Sequence, residues 1–279
     1  MSTDFQYARV SLGALLRELR TESGLTGREL AARLGWTQSK VSKLENGRQT
    51  PTVHDLTAWA REAGCPDLAP ELVGRLRGLE TRYRSWRRQL AGGYRSVQDV
   101  HGAQARRTLR RRSFDPTLIP GLLQTPEYAH NVLVRYSALH SAPRDIDAAV
   151  RSRVERQSVL NDGERRFHFL IWEGALHARP CPSPVMSRQL ERVAEILGRK
   201  RVRIGILPIS AELQVPIGVG FSIHDDRLVI TETWHAEMWL DDAEDVAVHV
   251  RAWETLERDA LYDAAAHALI VRARRALGT

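Results

Sequence analysis

Residues 25–51 carry helix-starting and helix-stopping residues so closely spaced that only short helices, obliged to pack on one another, fit between them. Thr26-Gly-Arg-Glu29 has capping-box spacing, with the Thr26 hydroxyl at the helix entrance and Glu29 reaching back to it. Leu30, Ala31 and Leu34 then form a buried face, and Gly35 ends the helix. Thr37 caps a further helix over 37–45, with Val41 and Leu44 inward and Asn46-Gly47 closing it. Upstream, Leu12, Leu15, Leu16 and Leu19 recur at helical spacing, with Gly24 as the stop. Downstream of Pro51, a fourth helix carries Leu56, Trp59 and Ala60 inward.

Two helices joined by a glycine turn, the second with an exposed polar face, make a helix-turn-helix, whose second helix enters the major groove of duplex DNA. Here that face is Gln38, Ser39, Lys40, Ser42 and Lys43. Glutamine offers a donor and an acceptor to the adenine edge, and lysine donates to guanine. The charge distribution agrees. The chain is +7 overall, with +10 in residues 1–112 and −3 in residues 113–279, as expected for a phosphate-binding module joined to a domain with other work.

The segment LTGRELAARLGWTQSKVSKLENGRQTPT resembles the Cro/C1-type, Xre-like helix-turn-helix family. The resemblance implies base contacts from Gln38, Ser39 and Lys43, and positions near phosphate for Thr37, Lys40, Asn46 and Arg48. It also implies an internal ion pair between Arg20 and Glu45, and binding to double-stranded DNA as a homodimer.

Residues 70–112 stay helical in pattern and strongly basic, with Arg82, Arg84, Arg87 and Arg88 followed by the run from Arg106 to Arg112. They are read as a connector, and the run as a solvated helix. The expected organisation is therefore a mainly α helix-turn-helix domain at 1–80, a basic helical connector at 81–112, and an α+β sensor or partner-binding domain at 113–279. Within the last, helices are predicted over 126–140, 144–160, 187–197, 243–262 and 263–276. Strands are predicted over 167–172, 202–207, 220–224, 228–233 and 235–239, forming a small antiparallel sheet.

The stretches FDPTLIPGLLQTPEYA, RVERQ, EGAL and Leu207-Pro208 resemble the uncharacterised, DUF5753-like C-terminal domain joined to Xre-like modules in many actinobacterial regulators. This resemblance implies a developmental or antibiotic-production regulator, often encoded beside a small partner protein. Gln124 and Thr125, after Pro120-Gly121, read either as a ligand loop or as a turn in which Thr125 caps the next helix. Arg153 and Glu173 complete the candidate ligand or partner residues, with Arg153 and Arg156 placed to face Glu173, His168 and His177 as a buried ion pair or a site. Trp172, Trp234, Trp239 and Trp253 are read as core.

No apolar run long enough to span a bilayer appears, and the N-terminus does not read as a signal peptide, so a cytoplasmic protein is expected. Cys65 and Cys181 stand apart, without zinc-ligand spacing, and neither metal nor cofactor is expected. HExxH, GxSxG, GxxxxGK[ST] and GxGxxG are all absent, which disfavours an enzyme. The reading that emerges is a DNA-binding regulator whose C-terminal domain responds to a small molecule or a small partner protein. An antitoxin-like interaction module that autoregulates its operon is the alternative.

Overall fold

The computed structural model describes residues 3–142 and 145–278. Arg144, where a helix was expected to begin, and the side chains of Arg82, Arg84, Arg87 and Arg88 lie outside the described residues. The chain divides into two compact units, the first ending at Tyr83 and the second starting at Arg84.

The first unit is helical: α1 (Thr3–Glu22), α2 (Gly27–Leu34), α3 (Gln38–Glu45), α4 (Val53–Glu62) and α5 (Ala69–Arg82). Their boundaries follow from local chemistry. Thr26 accepts from the Glu29 amide at 3.3 Å while Glu29 accepts from the Thr26 amide at 2.7 Å. Gly35 ends α2 at φ 65°, a conformation that disfavours any side chain. Leu16, Leu30, Val41, Leu44, Leu56 and Trp59 form the shared core, and the Trp59 indole N–H donates to the Leu16 carbonyl at 3.1 Å. Gly13 lets α1 approach the end of α3, since a Cβ there would lie 2.5 Å from the Leu44 carbonyl oxygen.

The second unit contains α6 (Trp86–Gln89), α7 (Gly93–Arg107), α8 (Pro126–His140), α9 (Ile146–Glu155), α10 (Glu173–His177), α11 (Ser183–Ile196), α12 (Ala243–Arg258) and α13 (Asp263–Arg275). Its strands are β1 (Tyr83–Ser85), β2 (Arg110–Asp115), β3 (Arg166–Trp172), β4 (Val202–Leu207), β5 (Phe221–His224), β6 (Leu228–Glu232) and β7 (Ala236–Leu240). The sheet order is β1-β7-β6-β5-β2-β3-β4, the short β1 starting at the unit boundary.

The small antiparallel sheet expected from the sequence is corrected here. β2–β7 make a six-stranded mixed sheet, antiparallel from β7 to β2 but parallel between β2 and β3 and between β3 and β4. Parallel neighbours need long crossovers and are covered on both faces, and both conditions are met. α8 and α9 intervene between β2 and β3, and α10 and α11 between β3 and β4. Phe167, Phe169 and Ile171 of β3 enter one core with residues of α8, α11 and α13, whereas Leu170 enters another with Trp253 of α12. The expected helical stretch also stops short, because α7 ends at Arg107 and Arg110–Asp115 is the central strand β2.

Among the four tryptophans read as core, Trp253 is fully buried, Trp172 and Trp239 are half-buried, and Trp234 is 80% exposed in the turn between β6 and β7. No described helix is long and apolar enough to cross a membrane.

Candidate nucleic-acid interface

α3 is held rigidly from behind and left open in front. At its start the Thr37 hydroxyl accepts from the Lys40 amide at 3.2 Å, using one of the amides that a helix leaves unpaired. Behind it, Glu45 is 8% exposed and receives Arg20 Nε at 2.5 Å and Arg17 Nε at 3.3 Å. Arg20 also donates to the Leu25 carbonyl at 2.7 Å, so one guanidinium ties α1 to both the entry of α2 and the end of α3. The Arg20–Glu45 pair implied by the family pattern is thus present. Arg17 joins it, and donates at 2.8 Å to the Asn46 side-chain carbonyl.

The opposite face carries Gln38, Ser39, Ser42 and Lys43, all exposed, with Asn46 and Arg48 exposed just beyond the helix. The Asn46 amide donates to the Ser42 carbonyl at 2.8 Å, which fixes its orientation at the helix end. Lys40 is differently placed. Its ammonium lies 2.6 Å from Asp55 Oδ1 and 3.7 Å from the centre of the Trp36 ring, binding α3 to α4. Burial alone would raise the Asp55 carboxyl, but Lys40 together with the amide and hydroxyl of Thr52 outweighs it and holds Asp55 below the ordinary 3.8. The sequence pattern did not disclose this pairing, because its partners are fifteen residues apart on different helices.

The C-terminal candidates separate into three places. Gln124 and Arg153 come together, the Arg153 guanidinium donating at 2.8 Å to Gln124 Oε1 and at 3.0 Å to Gln98 Oε1. Both line a half-open cavity of about 180 Å³ between α7, α8, α9 and the sheet. Thr125 instead caps α8, its hydroxyl accepting from the Tyr128 amide at 3.3 Å, and its own amide donates to Gln189 Oε1 at 2.7 Å. Glu173 is 3% exposed and accepts from the Ile209 amide at 2.9 Å and from Arg272. Arg272, then, and not Arg153 or Arg156, is its guanidinium partner. His168 donates to or accepts from the Tyr262 hydroxyl at 3.0 Å and packs edge-on to Trp253. Burial and the nearby Arg203 and Arg112 lower its pKa to about 4. Of the grouping expected around Glu173, His177 is in place, its Nε2 3.8 Å from Glu173 Oε1, whereas no ion pair joins His168, Arg153 or Arg156 to Glu173 among the described residues.

A capped recognition-type helix on a small helical unit, followed by a mixed α/β unit, is the arrangement of a helix-turn-helix regulator. Comparison with known proteins agrees. Residues 11–72 match a helix-turn-helix domain family, and residues 103–272 match the family described as "Domain of unknown function (DUF5753)". An uncharacterised HTH-type transcriptional regulator of Sinorhizobium fredii, y4dJ, is 43% identical over 56 residues, 20% of this chain and 73% of the relative. Among solved structures, TrmBL2, described as an archaeal chromatin protein, aligns over 86% of this chain and 88% of its own at 11% identity with a TM-score of 0.32. So shallow a likeness carries no argument. The chain belongs to the DUF5753 family, bearing that domain behind an N-terminal helix-turn-helix, and is a DNA-binding transcription regulator.

Proposed function

We propose that α3 reads operator DNA in the major groove, with Gln38, Ser39 and Lys43 on base edges, Ser42 beside them, and Thr37, Asn46 and Arg48 at the phosphates. Lys40 acts at the same edge while anchoring α3 through Asp55. The observation that carries this reading is the outward row of Gln38, Ser39, Ser42 and Lys43 on a helix whose inner face is fixed by Glu45, Val41 and Leu44. A rigid backbone lets short polar side chains present a fixed donor and acceptor pattern to base edges.

In the proposed division of labour, residues 1–80 bind DNA and the second unit, which takes in most of the 81–112 stretch read as a connector, receives the signal. The regulator acts as a homodimer whose two α3 helices meet half-sites about 34 to 36 Å apart. The C-terminal domain biases DNA affinity by binding a small molecule or a small partner protein more tightly in one state of the regulator than in the other.

The test is competition binding of the full chain at moderate salt, fragments of its own genome against random duplex. A subset of fragments retained against excess random DNA is the expected result; equal retention of all fragments overturns the reading. Sedimentation with bound operator distinguishes a dimer from a monomer, and a pull-down with mass spectrometry detects a stoichiometric small protein.

A further inference from the structure

The cavity in the second unit gathers more guanidiniums than lining acids. Three guanidiniums line it: Arg111 from β2, Arg153 from α9, and Arg156 from the turn that follows α9. Spacing of three residues puts Arg153 and Arg156 on one side of the helical path. Arg153 is aimed by two neutral amides, Gln98 and Gln124, which position it and leave its charge intact. Arg156 is 8% exposed, and its Nε has no acceptor among the described residues, as is true of Arg111 Nε and of the Tyr94 hydroxyl in the same chamber. Buried donors of this kind are normally paired.

Only two acids, Asp115 and Glu232, line the cavity against the three guanidiniums. Asp115, on the same face of β2, is pushed up to about 7 by burial, which Arg111 only partly offsets, and one of its oxygens lacks a donor. Glu232, itself exposed, lines the cavity and raises the pKa of each of the three arginines, and the buried Glu237 is engaged by His101 at 2.7 Å. Burial and the proximity of Arg153 and Arg111 bring Arg156 down to about 9.

The local sequence is built around these cations. Gly121 makes room for Arg156, since a Cβ there would come within 3.1 Å of its guanidinium. Gln124 receives Arg153, and Gln157 donates to the Gln124 carbonyl at 2.6 Å. The PGLLQ and RVERQ stretches thus interlock to hold two arginines against a space whose wall mixes Val97, Ile119, Val132 and Ile230 with Trp86, Tyr136 and the polar His101, Ser222 and Glu232. A dry cavity of about 150 Å³ accepts a benzene ring, so this one suits a ring or short chain with a small head group.

From the convergence of Arg111, Arg153 and Arg156 on a half-open and partly apolar cavity, we infer that the DUF5753 domain binds a small organic oxyanion, a carboxylate or phosphate on a compact apolar body. Guanidinium donors match such head groups in a fork and gain most where water is excluded. This inference deepens the effector half of the proposed function and is tested without DNA, so its failure leaves groove reading and a protein effector standing.

The experiment titrates the full chain with benzoate, phenyl phosphate and butyrate, and with the uncharged isostere benzamide and the cation benzamidine. Intrinsic tryptophan fluorescence and thermal shift are followed. At least one anion is expected to bind saturably, with benzamide at least about tenfold weaker and benzamidine without effect. Arg153→Gln and Arg156→Gln are expected to lose about tenfold or more, whereas Arg112→Gln, one residue along β2 and facing Asp226, keeps the affinity. Saturable binding by none of the three anions, equal binding of benzoate and benzamide, or unchanged affinity in both cavity variants would overturn the assignment. The head-group comparison uses the native chain and so holds even if a variant does not fold.

Discussion

Glu45 and Asp55 in the first unit and Arg111, Arg153 and Arg156 in the second are all charges withdrawn from bulk water, yet their surroundings differ in kind. Each buried acid of the helix-turn-helix meets a cation at 2.5 or 2.6 Å, Arg20 in one case and Lys40 in the other. The cavity arginines meet amides, a carboxyl lifted towards neutrality, the exposed Glu232, and one another, with no ion pair to any of them among the described residues. Desolvated charge that is matched fixes a framework, here the backbone that presents α3. Desolvated charge left unmatched is a standing energetic cost, and a ligand of opposite sign can remove it.

The largest effect expected from this contrast is in the first unit. Glu45→Ala strands two guanidiniums against α3 and should lower unfolding stability by about 3 kcal/mol, read by denaturant titration; a loss no greater than that of an exposed acid such as Glu71 would show that the pairing is not structural. Next in size are the groove-facing residues. Gln38→Ala and Lys43→Ala should each cost roughly 1 to 3 kcal/mol at one operator base pair and little elsewhere, while Arg48→Ala weakens all duplexes alike. Equal losses on every sequence for all three would mean that a different face reads the bases.

Removing a cavity charge should have the opposite sign to Glu45→Ala. Arg156→Met is expected to raise the stability of the ligand-free chain by about 1 kcal/mol, and a clear drop in melting temperature would indicate that Arg156 has a neutralising partner after all.

The smallest effect concerns pH. Asp55 titrates below its ordinary 3.8 in the folded state, so its contribution is fully present above that value and is lost as the pH falls through the lower folded one. Lys40→Met should flatten the acid limb of the stability profile below about pH 4, and identical limbs for variant and parent would contradict the Lys40–Asp55 assignment.

The same contrast explains what the sequence disclosed. Thr26 with Glu29, Gly35 and Thr37 act over three or four residues, so the helix-turn-helix was legible from one stretch of chain. α8 was legible for the same reason, with Thr125 and Pro126 marking its start. β2 was not. Its arginines read as more of the basic helix before it, and the partners that make it a strand, β3 and β5, lie far along the chain. Parallel pairing leaves no turn signature between neighbours, which is why the sheet was expected to be antiparallel. Of the cavity, Gln124, Arg153 and Arg156 were singled out, while Arg111 was read into a solvated helix and Asp115 was not named, because only the pleat of β2 turns them inward. Thr125, offered as either a loop residue or a cap, is the cap, and Glu173 pairs with Arg272 away from the cavity.

Because side chains alternate along β2, a slip of one residue would exchange its two faces. Arg110, Arg111 and Arg112 are indifferent to that parity, since any frame still offers the chamber a guanidinium. Phe114 is not indifferent: it is 1% exposed in the core beneath Trp253, and the wrong frame would drive it among the arginines and expel Asp115. The frame of the cavity wall is therefore enforced by an aromatic ring on the far side of the sheet, and a lesion at Phe114 would scramble the chamber from behind without altering any group that lines it.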